Sequence, residues 1–202
     1  MQKHPVESLQ IIAGNLALDF VNTVANRRGK SRDYVDSAAE FSRWSQRVGL
    51  LEEDQTLRLN TQQLTDVRNA REMLHRLFLS LAVGKAPSAG SIVELNSWLA
   101  RVSPKRHMKW TKDGATWIWK SSLHDPDRVL GPILLSASEL LVKGLGSKVR
   151  ECGDEFCGWI FLDRSQAGRR RWCSMADCGN RAKARWHYRR RKKRDAKTPR
   201  GK

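Results

Sequence analysis

The sequence predicts an α+β protein in which a mainly helical N-terminal domain with one β-hairpin precedes a small, cysteine-bearing module. Three observations predict this class. Apolar residues recur at helical spacing over most of residues 16–101. A tract after residue 107 alternates with period two. All four cysteines of the 202-residue chain lie close together near its C-terminus.

The N-terminal domain is expected to contain five helices, because apolar residues recur there every three to four positions. Asp36 is the expected N-cap of the second helix, and Gly49 and Gly84 are expected to end the second and third. The first predicted helix begins near Leu16. The other four cover about 36–48, 54–84, 91–101 and 126–144.

A β-hairpin is predicted between the fourth and fifth helices. The segment MKWTKDGATWIWK places Asp113-Gly114 between two alternating stretches, and this dipeptide is a strong turn former. Trp117 and Trp119 fall on the same face of the second strand. We expect both indoles to cover helical surface.

The four cysteines form two matched pairs with the spacing C-x4-C-x15-C-x4-C. Such pairs are typical of a four-thiolate zinc site, and a closed set of four ligands makes the metal structural rather than catalytic. An iron–sulfur cluster and redox-active thiols are the alternatives. The predicted ligands of one Zn²⁺ are Cys152, Cys157, Cys173 and Cys178.

The local pattern around the cysteines predicts a fold similar to a treble clef. The first knuckle, Cys152–Cys157, is followed by a strand over 159–162, a turn, a returning strand over 170–173, and a helix over about 175–192. Ser174 is the expected N-cap of that helix.

The final helix is expected to bind nucleic acid. Arg181, Arg185 and Arg189 recur every four residues and are predicted to form an exposed ridge, while Ala182 and Trp186 pack against the hairpin. A merely solubilising face is the alternative. The predicted contact residues are Arg169, Arg170, Arg171, Asn180, Arg181, Lys183, Arg185, Arg189 and Arg190.

Charge supports this interpretation, because the net charge of +17 is concentrated at the C-terminus. Residues 149–202 hold 17 Lys and Arg against 6 Asp and Glu. The chain shows no signal peptide and no apolar run long enough to span a membrane, so a cytoplasmic, nucleoid-associated protein is expected. The predicted units are a helical domain (1–147), the zinc module (148–192) and a basic disordered tail (193–202).

A possible effector pocket is predicted on the first helix and just beyond it. Its candidate residues are polar side chains beside an apolar face: Asp19, Asn22, Thr23 and Arg27. They could bind a small anion through Arg27. Alternatively, they satisfy neighbouring backbone groups.

Two stretches resemble known families. The segment WCSMADCGNR (172–181), with CGWIFLDRS (157–165) upstream, resembles the CGNR zinc-finger family, whose tetrad matches residues 178–181. The stretch GNLALDFVNT (14–23) resembles the helical ABATE domain that precedes that finger. The resemblance implies a bacterial, stress-related transcription regulator with an N-terminal sensing or assembly domain. It also matches the four cysteines to the metal ligands and Asn180-Arg181 to the tetrad.

The leading hypothesis is therefore a zinc-dependent protein that binds double-stranded DNA and is not an enzyme. An RNA- or ribosome-binding zinc protein is the alternative, because phosphates look alike in both polymers. A nuclease is disfavoured, because no second histidine or carboxylate accompanies His187 at catalytic spacing. A homodimer is possible, and its surface would lie on the helical domain, because the chain has no heptad zipper.

Overall fold

The computed structural model describes residues 5–197 and places six α-helices and six short strands within them. The helices are α1 (Leu16–Val21), α2 (Ala38–Arg47), α3 (Thr61–Ala82), α4 (Ala89–Val102), α5 (Asp127–Val142) and α6 (Asn180–Lys197). The strands are β1 (Val24–Ala25), β2 (Arg32–Asp33), β3 (Arg106–Thr111), β4 (Gly114–Trp119), β5 (Val149–Glu151) and β6 (Ile160–Leu162). They pair consecutively into three antiparallel two-stranded sheets. None of the helices in the described part of the chain is long and apolar enough to span a bilayer.

All five helices predicted for the N-terminal domain are present, and the main difference is the start of α3. This helix begins at Thr61 instead of near residue 54, because Asn60 forms a capping box with Gln63. The preceding segment is not helical; it is held against α2 by the Leu57 N–H, which donates to Ser42 Oγ at 2.9 Å. Ser37, rather than the predicted Asp36, caps α2.

The predicted hairpin is confirmed as β3 and β4, but its two turn residues are Lys112 and Asp113, and Gly114 is the first residue of β4, paired with Thr111. Trp119 covers helical surface as expected. It lies so close to α5 that a Cβ at Gly131 would be 2.3 Å from its ring, so this glycine allows the contact. The prediction for Trp117 is wrong. Its side chain is half exposed, and the guanidinium of Arg106 lies 4.2 Å from its ring centroid.

The zinc module shares one hydrophobic core with the helical domain. Buried side chains from α1, α3 and α5 belong to the same cluster as those of β5, β6 and the four cysteines. The backbone is joined as well, because Leu162 N–H donates to the Ala13 carbonyl at 2.8 Å. A turn over 145–148 links α5 to β5 at the predicted domain boundary. The two units are therefore continuous in packing.

The final helix extends beyond the predicted end of the module at 192. It runs to Lys197, so the predicted tail (193–202) begins within a helix. Residues 198–202 of that predicted tail lie outside the described residues.

Candidate metal centre and basic helix

The four cysteines converge on one buried point. Their sulfur atoms all lie within 4.8 Å of one another. Cys173 Sγ is 3.7 Å from Cys157 Sγ and 3.5 Å from Cys178 Sγ. Four sulfurs at tetrahedral positions with zinc–sulfur bonds of about 2.3 Å would be about 3.8 Å apart. The cluster therefore fits one structural zinc ion, as the spacing predicts.

Four separate backbone segments bring these cysteines together. Cys152 directly follows β5, Cys157 precedes β6, Cys173 ends a loop, and Cys178 lies in a turn over 175–179 that leads into α6. Gly158, between Cys157 and β6, has a φ of +68°. A Cβ there would also lie 3.0 Å from Arg27 Cβ, so a glycine is required for the first knuckle to lie against the N-terminal domain.

Neighbouring donors and charges orient and tune the sulfurs. The Cys173 N–H donates to Cys152 Sγ at 3.4 Å, and Arg181 Nη2 donates to Cys178 Sγ at 3.0 Å. Hydrogen bonds with Cys152 and Cys157, together with burial, raise the pKa of Cys173 well above its usual range. A divalent cation would reverse this balance, because a bound metal stabilises the thiolate form. Zinc binding would therefore release protons from the cysteine thiols and hold the four sulfur atoms together.

The strand pairing within the module differs from the prediction. β6 pairs with β5, which lies before the first knuckle, and residues 170–173 form no strand. At the start of the predicted return strand, Arg170 N–H donates to the Asp163 carboxylate at 3.0 Å instead of to β6, and the same carboxylate accepts from Ser165 N–H at 2.9 Å. These bonds close the loop 163–170 on itself. The Arg171 carbonyl instead accepts from Gly153 N–H at 2.8 Å.

The predicted arginine ridge of α6 lies beside the first knuckle and forms ion pairs with its acidic residues. Arg185 Nη2 donates to Asp154 Oδ2 at 2.6 Å, and Arg181 Nε lies 3.5 Å from the same oxygen. Arg189 Nη2 donates to Glu155 Oε2 at 3.0 Å. The three guanidinium groups therefore fix the helix to the first knuckle. Arg181 and Arg189 nevertheless stay more than half exposed, at 53% and 67%, so nucleic-acid contact by this ridge remains a prediction.

Asp154 was not identified from the sequence, although it connects the knuckle to α6. Its side chain is 1% exposed and also accepts from Phe156 N–H at 3.1 Å. Burial acts to raise the pKa of Asp154, but the hydrogen bonds from Arg185 and Phe156 N–H and the charges of Arg181 and Arg185 together outweigh it and hold the pKa below its usual value. An acidic pair, Asp154-Glu155, inside a strongly basic module was the signal that could have revealed this contact.

The opposite face of α6 is exposed. Trp186, predicted to pack inward, is 52% exposed, and Arg190 lies over its ring at 4.6 Å. Helical geometry groups the outward residues into one stripe at positions i, i+3, i+7 and i+10. This stripe consists of Asn180, Lys183, His187 and Arg190, all exposed.

The three loop arginines have different environments. Arg170 is bound to the module, because its Nε donates to the Trp172 carbonyl at 2.9 Å and its guanidinium lies 4.5 Å from the Phe161 ring centroid. Arg169 and Arg171 are exposed. Arg171 lies over the Trp172 ring at 5.0 Å. Of the three arginines at 169–171, Arg169 and Arg171 therefore present an open cationic surface, and Arg170 does not.

The residues of the predicted effector pocket make internal contacts. Asn22 donates through Nδ2 to the Ile160 carbonyl at 2.8 Å and accepts from Ile160 N–H through Oδ1 at 2.9 Å. Its amide therefore acts as an additional pairing partner for β6. Asp19 Oδ1 accepts from Ala13 N–H at 2.9 Å. Both side chains are buried. Asn22 joins the N-terminal domain to the module, whereas Asp19 holds the segment before α1.

Thr23 and Arg27 belong to a second internal network. Arg71 Nη1 donates to Thr23 Oγ1 at 2.9 Å, and the same guanidinium pairs with Asp33. Arg27 forms a bidentate ion pair with Glu72 at 2.8 and 2.9 Å. These contacts favour the structural alternative for all four residues. An effector site on this cluster remains a prediction that its contacts do not support.

Asp19 predicts a measurable pH dependence of stability. Burial raises the pKa of Asp19 to about 6, against backbone hydrogen bonds that lower it. The folded state then retains the proton longer than the unfolded state, so Asp19 reduces stability as pH rises from about 4 to above 6. The shift corresponds to about 3 kcal/mol.

In the variant Asp19→Asn this contribution should disappear. The difference in unfolding free energy between the two proteins, measured in urea from pH 4 to 8, should therefore change in favour of the variant as pH rises. The slope is the readout, because the new amide can shift absolute stability. Parallel curves would show that Asp19 titrates normally.

A helical domain whose core continues into a buried four-cysteine cluster defines a zinc-finger protein with a helical body. Residues 14–144 match the ABATE family model, described as "Putative stress-induced transcription regulator", and residues 148–191 match the CGNR zinc finger. The chain belongs to the ABATE family and carries a C-terminal CGNR zinc finger, as its sequence resemblance implied. A comparison with curated proteins found no match.

Proposed function

We propose that this protein is a zinc-dependent bacterial transcription regulator that binds double-stranded DNA through α6 and acts by binding rather than catalysis. The observation that supports it most directly is the exposed stripe of α6, a rigid polar and cationic surface next to the metal centre. The family description supports the regulatory part of the proposal. Action at the nucleoid in the cytoplasm, and a sensing or assembly role for the N-terminal domain, belong to the same proposal.

The stripe suits a major groove for geometric reasons. An α-helix fits this groove, and residues near its N-terminus commonly approach base edges. Asn180 is the first residue of α6, and Lys183 follows one turn later. Arg190 lies farther along the helix, where a guanidinium can neutralise phosphate. Arg169 and Arg171 provide a second cationic surface on the adjacent loop.

RNA binding is the second candidate, and the position of Trp186 favours it. A half-exposed indole beside the Arg190 guanidinium can stack on an unpaired base. Duplex DNA, in which bases are already stacked, offers no equivalent partner without local unstacking. The two candidates therefore predict losses of different size for Trp186→Ala, which would weaken RNA binding strongly and duplex binding little.

A selection from randomised duplex DNA tests the main proposal. The zinc-loaded full chain should enrich a defined motif at about physiological ionic strength, and structured RNA at matched salt should compete poorly. A palindromic motif would also indicate a homodimer on two half-sites. Binding without any enriched motif, or stronger competition by RNA, would count against sequence-specific DNA recognition.

The orientation of α6 predicts which cations matter. The double variant Lys183→Gln/Arg190→Gln should weaken DNA binding by about tenfold or more and should reduce the slope of log K against log salt by about 2. Measured by fluorescence anisotropy across a salt series, the loss should exceed that of Lys109→Gln/Lys112→Gln. The latter pair is exposed on the hairpin and removes the same charge. Equal losses for the two pairs would mean that net charge alone controls binding.

A further inference from the structure

A half-open cavity of about 260 Å³ lies where the N-terminal domain meets the zinc module. One wall comes from the N-terminal domain and includes Leu9, Arg32 and Tyr34. The other comes from the module and includes Trp159 and Asp177, together with three of the metal-site cysteines. At about 30 Å³ per water, the cavity has room for roughly nine waters, and therefore for a small organic molecule.

Arg32 supplies a cationic group to this cavity without an acidic partner. Its Nη1 donates to the Tyr34 hydroxyl at 3.2 Å, and its guanidinium lies 5.8 Å from the centroid of the same ring. In the described part of the chain it forms no ion pair, whereas the nearby Arg27 and Arg71 each pair with an acidic side chain. A half-buried guanidinium held by an aromatic ring retains the N–H donors needed to bind a carboxylate.

The opposite wall is anionic. Asp177 Oδ2 accepts from Gln10 Nε2 at 2.9 Å and from the Ser174 hydroxyl at 2.7 Å, and Oδ1 of the same carboxylate accepts from no described group. Four thiolates outnumber the charges of one Zn²⁺, so the loaded centre is itself anionic. Arg181, which donates to Cys178 Sγ at 3.0 Å, offsets only part of this charge.

We propose that this cavity binds a small amino carboxylate, with its carboxylate on Arg32 and the Tyr34 hydroxyl and its ammonium facing Asp177 and the metal centre. Walls of opposite charge favour a zwitterion, because Arg32 repels a simple cation and the thiolate centre repels a simple anion. Leu9 and Trp159 provide apolar surface for the carbon skeleton. Trp159 also carries an indole N–H that has no partner within the described residues.

A ligand in this position would couple the two parts of the molecule. It would touch the N-terminal domain on one side and the segment containing Asp177 and Arg181 on the other, directly before and within the first turn of α6. Because it binds only when both walls are assembled, it should stabilise their association and slow the loss of zinc. The inference concerns small-molecule binding and holds whether or not α6 binds nucleic acid.

The test uses the zinc-loaded full chain and three sets of probes at millimolar concentration. The first set contains the common L-α-amino acids with β-alanine and γ-aminobutyrate, which vary the separation of the two charges. The second contains matched carboxylates without the amine, and the third matched amines without the carboxylate. Thermal shift identifies binders, and the indole N–H resonance of Trp159, assigned with Trp159→Phe, locates them.

We expect at least one amino carboxylate to raise Tm, move the Trp159 resonance and slow zinc transfer to a chelator. Arg32→Gln should weaken that binding at least tenfold with unchanged zinc content, whereas Arg58→Gln, on an exposed arginine of the N-terminal domain, should not. The proposal is overturned if no amino carboxylate binds, if Arg32→Gln binds equally well, or if the amine-free acids bind as tightly. A bound probe that leaves the Trp159 resonance unmoved would also overturn it.

Discussion

Substituting serine for Cys173 should abolish stoichiometric zinc binding and lower the melting temperature of the whole chain, not of the module alone. Cys173 lies at the centre of the cluster, within 3.7 Å of two other sulfurs. A structural zinc contributes apparent free energy on the order of 10 kcal/mol or more. Because the cysteines share a core with α1, α3 and α5, part of that loss is transmitted to the helical domain.

For a chain of this size each lost kcal/mol lowers Tm by about 2–4 °C, so the expected fall is on the order of 10 °C or more. Metal content by elemental analysis and calorimetric unfolding would measure both effects. The matched control is Ala176→Ser, which adds a hydroxyl at an exposed position between Cys173 and Cys178. Chelation should reproduce the fall in the parent protein and change Cys173→Ser little. An unchanged transition for the helical domain would show that the two units unfold independently.

The metal centre could be predicted from the sequence because the spacing of its four cysteines is a local feature of the chain. Two pairs of cysteines at fixed spacing limit the chemistry to few options, whatever the surrounding fold. The helices of the N-terminal domain were equally accessible, since their periodicity lies within each segment. The start of α3 is also marked locally, by the Asn60–Gln63 capping box, but the apolar pattern continues through Leu57, which bonds Ser42 in α2 instead of extending the helix.

The direction of α6 could not be predicted in the same way. Its sequence carries cationic residues on nearly every face, so helical periodicity alone does not identify the inner one. The inner face is the one that pairs with Asp154 and Glu155, which lie in the first knuckle, 31 and 34 residues before their arginine partners. The pairing of β5 with β6 likewise joins two segments on either side of the first knuckle, a contact that the periodicity of each strand does not specify.

The polar residues of α1 show a related limit. Asn22 and Asp19 stand beside an apolar face, a pattern that fits either a ligand pocket or buried backbone partners. Their partners, Ile160 and Ala13, lie on other segments and are brought close only by folding. The cavity lined by Arg32 and Asp177 is likewise formed by residues far apart in sequence.

The variant Asp154→Asn should separate two contributions to DNA binding: the net positive charge of the protein and the fixed orientation of α6. It keeps an acceptor for Phe156 N–H but removes the carboxylate that pairs with Arg185 and Arg181. Charge-assisted hydrogen bonds contribute about 1.5–3 kcal/mol, so the module should lose stability of that order. If the proposed function holds, affinity for the selected motif should fall about tenfold or more, because a loosened helix no longer presents Asn180 and Lys183 in fixed positions.

Affinity for unrelated duplex DNA should stay the same or rise, because the variant carries one more net positive charge and non-specific binding follows charge. The two effects therefore have opposite signs and can be compared in a single titration series. Glu139→Gln removes an equal charge on the exposed surface of α5, and it should leave the ratio of specific to non-specific affinity unchanged. A parallel rise of both affinities in Asp154→Asn would mean that α6 acts only as a cationic surface. An unchanged specific affinity would mean that residues outside α6 position the protein on DNA.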